Sequence, residues 1–241
     1  QATVTFNNEP YGIPMSLVSN VFYYNTDIVP DAPLTTDELL VEGSPPFVLS
    51  RSADDMLWTL TAYNGITVNN DVIVPDMEAL TSWLKWLTFA DNAEHIDIIS
   101  NNFLRQNRFI DGESVYYIDS NLDLSELSNA MGDSLSVALF PTGTSQFASP
   151  LVTSNTLFIN RNSENADTSI QLINILTAVD EQETMVETLR WIPANITANE
   201  ILSNDPLLKT IAGIMQNGIV INNNPDDFLA TVSQTIDSVF R

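Results

Sequence analysis

The sequence contains no cysteine and one histidine among its 241 residues. Without cysteine the chain has no disulfide bond, no thiolate metal site and no thiol nucleophile. With His95 as its one imidazole, it lacks the parts of a multi-histidine metal site, and a Ser-His-Asp relay would depend on that residue alone. These absences argue against the commonest hydrolytic and metal-dependent enzymes.

Basic residues are also scarce. The chain has 8 Lys and Arg against 31 Asp and Glu, and its formal net charge at pH 7 is −23. A surface of this sign repels phosphate backbones and anionic lipid headgroups, so nucleic acid is excluded as a partner. The acids are scattered along the chain instead of grouped in blocks, which is typical of a solvated surface.

Several longer patterns are missing as well. No apolar run reaches the roughly 20 residues that a membrane-spanning helix needs. The glycine-rich phosphate loops and the alternating Asp/Asn pattern of a calcium loop do not occur. Adjacent acids, such as Asp226 with Asp227, project about 100° apart on a helix and form no acid–base couple. The sequence therefore predicts a protein that is not an enzyme and that has no cofactor and no metal site.

Enough apolar residues are present for a folded core, since 44% of the chain is hydrophobic. Residues 135–140 and 156–159 have the composition of buried strands, and the small and polar residues between them include two prolines. We interpret this segment as a crossover between two sheets. Amphipathic helix patterns cover most of the rest, at 52–63, 75–90, 181–190, 206–216 and 225–240.

Four segments stand out by their order along the chain: GIPMSLVSNVFYYNTDI, FLRQNRFIDGESVYYID, SVALFPTGTSQFASPLVTSNTLFINRNSENAD and a helix followed by WIPAN. Their order and spacing resemble those of the extracellular solute-binding proteins of ABC transporters. The resemblance is strongest to the sugar-binding group that includes maltose-binding protein. It covers nearly the whole chain and implies an α/β fold of the periplasmic-binding-protein-like type II, in which two lobes close around a ligand.

The resemblance also implies a division into one complete lobe and part of the other. Residues 14–140 and 203–241 would form the second lobe, residues 1–13 and 150–202 would be the remaining part of the first lobe, and residues 141–149 would be the crossover. Family members carry a further segment ahead of the first strand, so we expect this chain to be a C-terminal portion. We also expect a homodimer, because another chain would then cover the exposed strand edges and apolar surface of the first lobe.

The same resemblance implies where a ligand binds. In the family, contacts fall on a segment at the lobe boundary, on the start of the helix after a second-lobe strand, on the turn after another strand, and on the last helix. Carried over position by position, these contacts are Ser16, Val18, Ser19, Asp54, Asp55, Trp58, Asp119, Ser120, Leu122 and Phe228, with Ala53 and Leu229 beside them.

These positions differ from the usual sugar-binding pattern, in which several aromatic rings stack on sugar faces. Leu122 and Leu229 stand where aromatic residues are expected, while Trp58 either supplies one aromatic face or packs in the core. The carboxylates have Arg51 as their one nearby cation in the sequence. We therefore expect the site to prefer a neutral polyol or a cation over an anion.

Two functions are compatible with this resemblance. The first is the solute-binding component of an ABC importer, which would deliver a carbohydrate or another small polar solute to permease subunits. Such a protein would be extracellular or periplasmic and anchored to the membrane through a segment ahead of Gln1. The alternative is a solute-binding-like module that no longer transports and serves as a sensor or interaction domain of a longer protein.

Overall fold

The structure is a computed structural model that describes residues 5–6, 9–69, 72–221 and 225–240. It has the predicted mixed α/β fold. The helices are α1 Ala53–Ala62, α2 Met77–Asn92, α3 Asn102–Ile110, α4 Leu124–Met131, α5 Ala166–Leu176, α6 Val179–Leu189, α7 Pro206–Gln216 and α8 Pro225–Val239. Short 3-10 helices lie at Glu38–Leu40, Asn121–Asp123, Gly132–Ser134 and Ile196–Asn204.

The strands form one large sheet and two small hairpins. Within the described part of the chain, the large sheet has seven strands, β1 pairs with β2, and β5 pairs with β6. The strands are β1 Thr5–Phe6, β2 Glu9–Pro10, β3 Ile13–Asn25, β4 Phe47–Leu49, β5 Ile66–Asn69, β6 Val72–Pro75, β7 Ile96–Ile98, β8 Tyr116–Ser120, β9 Leu135–Ala138, β10 Val152–Leu157 and β11 Ile192–Pro193.

The 13-residue strand β3 organises the large sheet. Its first half, up to Ser19, pairs antiparallel with β10 and, over two residues, with β11. Its second half, from Asn20, pairs antiparallel with β8 and β9. The strand therefore exchanges its partners between Ser19 and Asn20. On the far side of β8, β4 runs parallel to both β8 and β7.

The crossover between β9 and β10 joins the two halves of β3. Within the described residues, β9 and β10 do not pair with each other, because each pairs with a different half of β3. Both belong to one seven-stranded sheet, whereas the sequence predicted two sheets. The physical reason is that β3 is long enough to serve as partner for both. The assignment of residues to two lobes stays a prediction.

Strand β10 begins earlier than expected, since it spans Val152–Leu157 and the apolar run predicted it at 156–159. Main-chain pairing with β3 draws polar residues such as Thr153 and Asn155 into the strand. Phe158, the apolar residue on which the prediction depended, follows the strand and is exposed. Hydrogen bonding of the backbone thus outweighed the apolar pattern here.

A cluster of aromatic rings fills the core beneath α1 and α2. Trp83 and Trp86 are buried, and their indole nitrogens donate to Thr59 Oγ1 at 2.8 Å and to the carbonyl oxygen of Thr36 at 3.0 Å. Buried indoles normally need such acceptors. The sequence favoured core packing for this tryptophan pair, and the structure shows it.

Helix α8 returns the end of the chain to this core. It packs against α1 and α2, and Ile236 and Phe240 are buried in the contact. Arg51 donates to the carbonyl oxygen of Phe240 and lies 3.3 Å from an Asp237 carboxylate oxygen. The sequence predicted Arg51 as the cation close to the ligand-site carboxylates. In the structure, Arg51 instead contacts the end of α8. Among the described residues, no helix is long and apolar enough to cross a membrane.

Candidate ligand-binding site at the ends of two parallel strands

The candidate site lies where two neighbouring parallel strands end. β4 and β8 pair in parallel through Phe47 and Tyr116, so their carboxyl ends lie at the same edge of the sheet. Helix α1 begins shortly after β4, and the 3-10 helix Asn121–Asp123 follows β8 directly. Open α/β sheets bind ligands outside the carboxyl ends of strands, and helix starts there present unpaired N–H groups.

The midpoint of β3 is tied to both helix starts. The backbone N–H of Ser19 donates to Asn121 Oδ1 at 2.9 Å. The Asn20 side-chain amide donates to the carbonyl oxygen of Asp54 and to Asp55 Oδ1, both at 3.0 Å. The point at which β3 exchanges partners is therefore in contact with the residues after β4 and after β8.

Arg105 on α3 forms the centre of the charged groups at this edge. Its Nη2 atom donates to Asp55 Oδ2 at 2.9 Å and to Asp119 Oδ2 at 3.0 Å, and its side chain is 2% exposed. Sequence reasoning missed this residue. The available signal was spacing, because Arg105 lies four residues before the buried Phe109 and so shares the buried face of α3.

Two tyrosines supply hydroxyl groups to the same region. The Tyr117 hydroxyl lies 2.7 Å from Asn102 Oδ1 and 3.0 Å from Asp119 Oδ2. The Tyr23 hydroxyl donates to the carbonyl oxygen of Ser120 at 3.0 Å. Burial, reinforced by nearby carboxylates, raises the pKa of both tyrosines well above the ordinary value, so both hydroxyls keep their protons at neutral pH.

Asp123, like Arg105 with its Nε atom, has a buried polar atom without a hydrogen-bond partner among the described residues. Its Oδ2 atom is buried and accepts no hydrogen bond from the described residues. Burial, followed by the charges of Asp119 and Glu126, raises the pKa of Asp123 to about 6. Burial also raises the pKa of Asp55, against the opposing effect of the Ser50 hydrogen bond and the Arg105 charge. Among the described residues of the site, the Asp55, Asp119 and Asp123 carboxyls therefore outnumber the Arg105 guanidinium.

Asp123→Asn should stabilise the protein at neutral pH. The folded protein holds the Asp123 proton more tightly than the unfolded chain, with a pKa of about 6 against 3.8, so this carboxyl lowers stability as the pH rises through that interval. The variant should gain about 1–2 kcal/mol at pH 7, less than the full pKa shift implies because water partly screens this half-exposed carboxyl, and almost nothing near pH 4. Urea unfolding at both pH values measures the difference. Asp133→Asn, at an exposed position, should change stability by less than about 0.5 kcal/mol.

Six of the sequence-predicted residues lie at this edge. Asp54 is exposed, Asp55 and Asp119 have side chains that are 14% and 12% exposed, and Ser19 is buried against Asn121. Ser120 and Leu122 are half-buried, and the Ser120 hydroxyl caps the 3-10 helix by accepting from the N–H of Leu122 at 3.2 Å. Contact of any of these residues with a ligand stays a prediction.

The remaining predicted residues lie elsewhere. Val18 is half-buried on the first half of β3, where the buried Ser16 hydroxyl accepts from the Asn155 side-chain amide at 3.0 Å. Trp58 is 1% exposed and stacks on Phe140 with ring centroids 5.4 Å apart, so it packs in the core. Ala53, which stood beside Trp58 in the prediction, does begin α1 next to Asp54, but its side chain is buried.

Phe228 lines an apolar cavity of about 460 Å³ between α2, α8 and the β5–β6 hairpin, and Leu229 is half-buried beside it on α8. A second apolar cavity, of about 450 Å³, lies between the crossover and α7. The polar residues of the candidate site line neither cavity. Among the described residues, no three His, Asp or Glu side chains are arranged to hold a metal ion.

Comparison with known proteins places this chain in one protein family. Residues 2–210 match the family described as bacterial extracellular solute-binding protein. No curated protein matches the sequence. The match spans well over half of the chain and includes the strands and helix starts that form the candidate site.

Solved sugar-binding structures share the fold. The GacH receptor of Streptomyces glaucescens, solved unliganded and with acarbose, matches with a TM-score of 0.85 at 16% identity over 98% of this chain and 67% of that one. The maltose-maltodextrin binding protein of Alicyclobacillus acidocaldarius matches with a TM-score of 0.84 at 18% identity. The match covers 99% of this chain and 69% of that one. The maltose/maltodextrin-binding domain of Bdellovibrio bacteriovorus, bound to maltotriose, matches with a TM-score of 0.80 at 19% identity. The match covers 99% of this chain and 70% of that one. At these identities the likeness establishes the fold.

Proposed function

We propose, from the premise that this chain belongs to the family of bacterial extracellular solute-binding proteins, that it binds a carbohydrate or another small polar solute for an ABC importer. One observation carries the proposal: two helix starts and the midpoint of β3 converge at the carboxyl ends of β4 and β8. This convergence places hydrogen-bonding side chains on one edge of the sheet, where a closing cleft can enclose a solute.

The chemistry of the edge supports a solute that donates hydrogen bonds. Carboxylates accept strong hydrogen bonds from hydroxyl or ammonium groups. Asp55 and Asp119 share the Arg105 guanidinium, and Asp123 adds a third carboxyl beside them, so an additional anion would be repelled. A neutral sugar or a cation therefore fits better than a dicarboxylate. Acarbose and maltotriose, seen with two proteins of the same fold, support the choice of a carbohydrate.

Calorimetric titration with maltotriose, spermidine and succinate tests this specificity. We expect heat of binding from maltotriose or spermidine and none from succinate, because succinate adds negative charge to a site that already has an excess of it. Asp54→Ala together with Asp119→Ala should weaken binding, provided that circular dichroism shows a folded variant. Asp97→Ala, in an exposed ion pair on β7, is the matched control. Tight succinate binding, or equal affinity of the double variant, would overturn the assignment.

We infer an extracellular or periplasmic location and delivery of the solute to permease subunits, with a membrane anchor ahead of Gln1. Family membership supports the location, and the binding edge described above is what an importer would use to collect its solute. Uptake of labelled solute by cells that lack the protein is the direct test. Uptake at the normal rate in those cells would contradict an import function.

We also infer that a second copy of the chain covers an apolar surface around β10 and α5. Phe158, Ile170, Leu172 and Ile175 are exposed there. Among the described residues, β10 stands at one end of the strand order of the large sheet, a position at which strands often pair with another chain. We expect a homodimer in light scattering. A monomer at high concentration that binds no dye specific for apolar surface would contradict this inference.

A further inference from the structure

Arg105 connects the two segments that carry the candidate site. It extends from α3 to Asp55 in the first turn of α1 and to Asp119 at the end of β8. Asp54 neighbours the first of these acids, and Ser120 and Leu122 follow the second. One buried guanidinium thus joins two segments that lie far apart in the sequence.

The bonds to Arg105 fix both carboxylates. The two short bonds from Nη2, at 2.9 and 3.0 Å, use both of its hydrogens. The second oxygen of Asp55 accepts from Asn20, and the second oxygen of Asp119 accepts from the Ser120 N–H at 2.7 Å. Each acid is therefore held at both oxygens, and neither can rotate without losing a bond.

We propose that Arg105 is a positioning residue for solute binding, which sets the relative placement of the α1 start and the segment after β8 without touching the solute. The 2% exposure of its side chain keeps Arg105 away from a bound molecule, while Asp55 and Asp119 reach the surface. The proposal rests on the function proposed above. It adds a residue that the family resemblance did not assign.

A planar guanidinium is needed for this role. It presents N–H groups in fixed directions: Nη2 donates to Asp55 and Asp119 and lies 3.3 Å from Asn102 Oδ1, Nη1 lies 3.4 Å from the Ile99 carbonyl oxygen, and Nε has no partner among the described residues. A lysine ammonium is a single flexible point charge, so Arg105→Lys keeps the charge and loses the fixed directions. The Arg105→Lys variant therefore separates the effect of holding Asp55 and Asp119 in position from the effect of neutralising their charge.

The charged and titratable groups around Arg105 come from several elements. Asp55 belongs to α1 and Asp119 to β8, and Asp123, between β8 and α4, interacts with both. Tyr117 lies on the same strand as Asp119 and stays protonated. Lysine in place of Arg105 preserves the net charge of this set. A change in the Kd of the lysine variant would therefore reflect a change in the positions of Asp55 and Asp119, because the net charge is the same.

Arg105→Lys should raise the Kd for maltotriose roughly tenfold or more, because loss of the short Nη2 bonds lets Asp55 and Asp119 leave the positions in which they bind the solute. The Kd is measured by calorimetry at a temperature at which the variant is fully folded. Arg108→Lys is the matched control, because Arg108 lies on the same helix and pairs with Asp97 at 2.5 Å, away from the site. It should bind as the native protein does.

Amide hydrogen exchange tests the positioning without any solute. In Arg105→Lys, exchange at residues 53–56 and 120–124 should accelerate more than in Val186→Ala, a core variant on α6 that loses stability without altering the site. Equal exchange in the two variants would overturn the positioning role, and so would an unchanged Kd. Native protein that binds none of the probes would instead contradict the proposed function.

Discussion

Arg105→Met is expected to lower the free energy of unfolding by about 3–5 kcal/mol. The substitution removes the one guanidinium between Asp55 and Asp119 and leaves two largely buried carboxylates facing each other. Their mutual repulsion and lost hydrogen bonds add to the cost of desolvation. For a chain of this size, the loss corresponds to a fall in Tm of about 6–20 °C. Urea unfolding at pH 7, followed by circular dichroism, measures it.

The control for this prediction is Arg108→Met, on the same helix. Arg108 forms ion pairs with Asp97 and Glu113 whose carboxylates are well exposed, so its removal should cost less than about 1 kcal/mol. Replacing Asp55 and Asp119 by asparagine together with Arg105→Met should recover part of the loss, because no unpaired charge then remains buried. A loss below about 1 kcal/mol for Arg105→Met alone would show that the ion pairs are not maintained in solution.

Trp58→Ala is expected to cost about 3–5 kcal/mol in stability, the range for truncating a buried aromatic residue. Trp58 stacks on Phe140 and meets Phe22 and Trp86 edge-on, with centroids 6.3 and 6.1 Å away. The loss of this ring would leave a cavity in the centre of the aromatic cluster. Chemical denaturation of the variant measures the effect directly.

The conservative variant decides between the two roles that the sequence left open for Trp58. The indole nitrogen has no hydrogen-bond partner among the described residues, so Trp58→Phe removes no hydrogen bond and should be much milder. It should also leave the Kd for maltotriose unchanged. A variant that stays as stable as the native protein but loses affinity would contradict core packing and favour a ring that stacks on the solute.

Local signals accounted for many of the secondary elements. The helix predicted at 206–216 is found at Pro206–Gln216, because Asp205 caps it by accepting from the N–H groups of Leu207 and Leu208, and Pro206 occupies its first position. Such signals lie within a few residues of one another. β10 was misplaced because its position depends on pairing with β3, more than a hundred residues earlier.

The candidate site was predictable only in part. Asp54, Asp119 and Ser120 were identified through the family resemblance, which places them after strands, and the structure brings them to one edge of the sheet. Arg105 was not identified, since a charged residue on the buried face of a helix has no recognisable partner in the sequence. Arg51 was chosen in its place because it is close to Asp54 along the chain, although it lies against α8.

The sequence by itself determined the mixed α/β class, the acidic net charge, and membership of the solute-binding family, because composition and motif order depend on the chain alone. Only the tertiary structure decided that Arg105 neutralises Asp55 and Asp119 and that Trp58 lies in the core. The physical reason is that ion pairing and burial depend on distances between side chains on different elements. Those distances follow from how α1, α3 and β8 pack together, which no local pattern encodes.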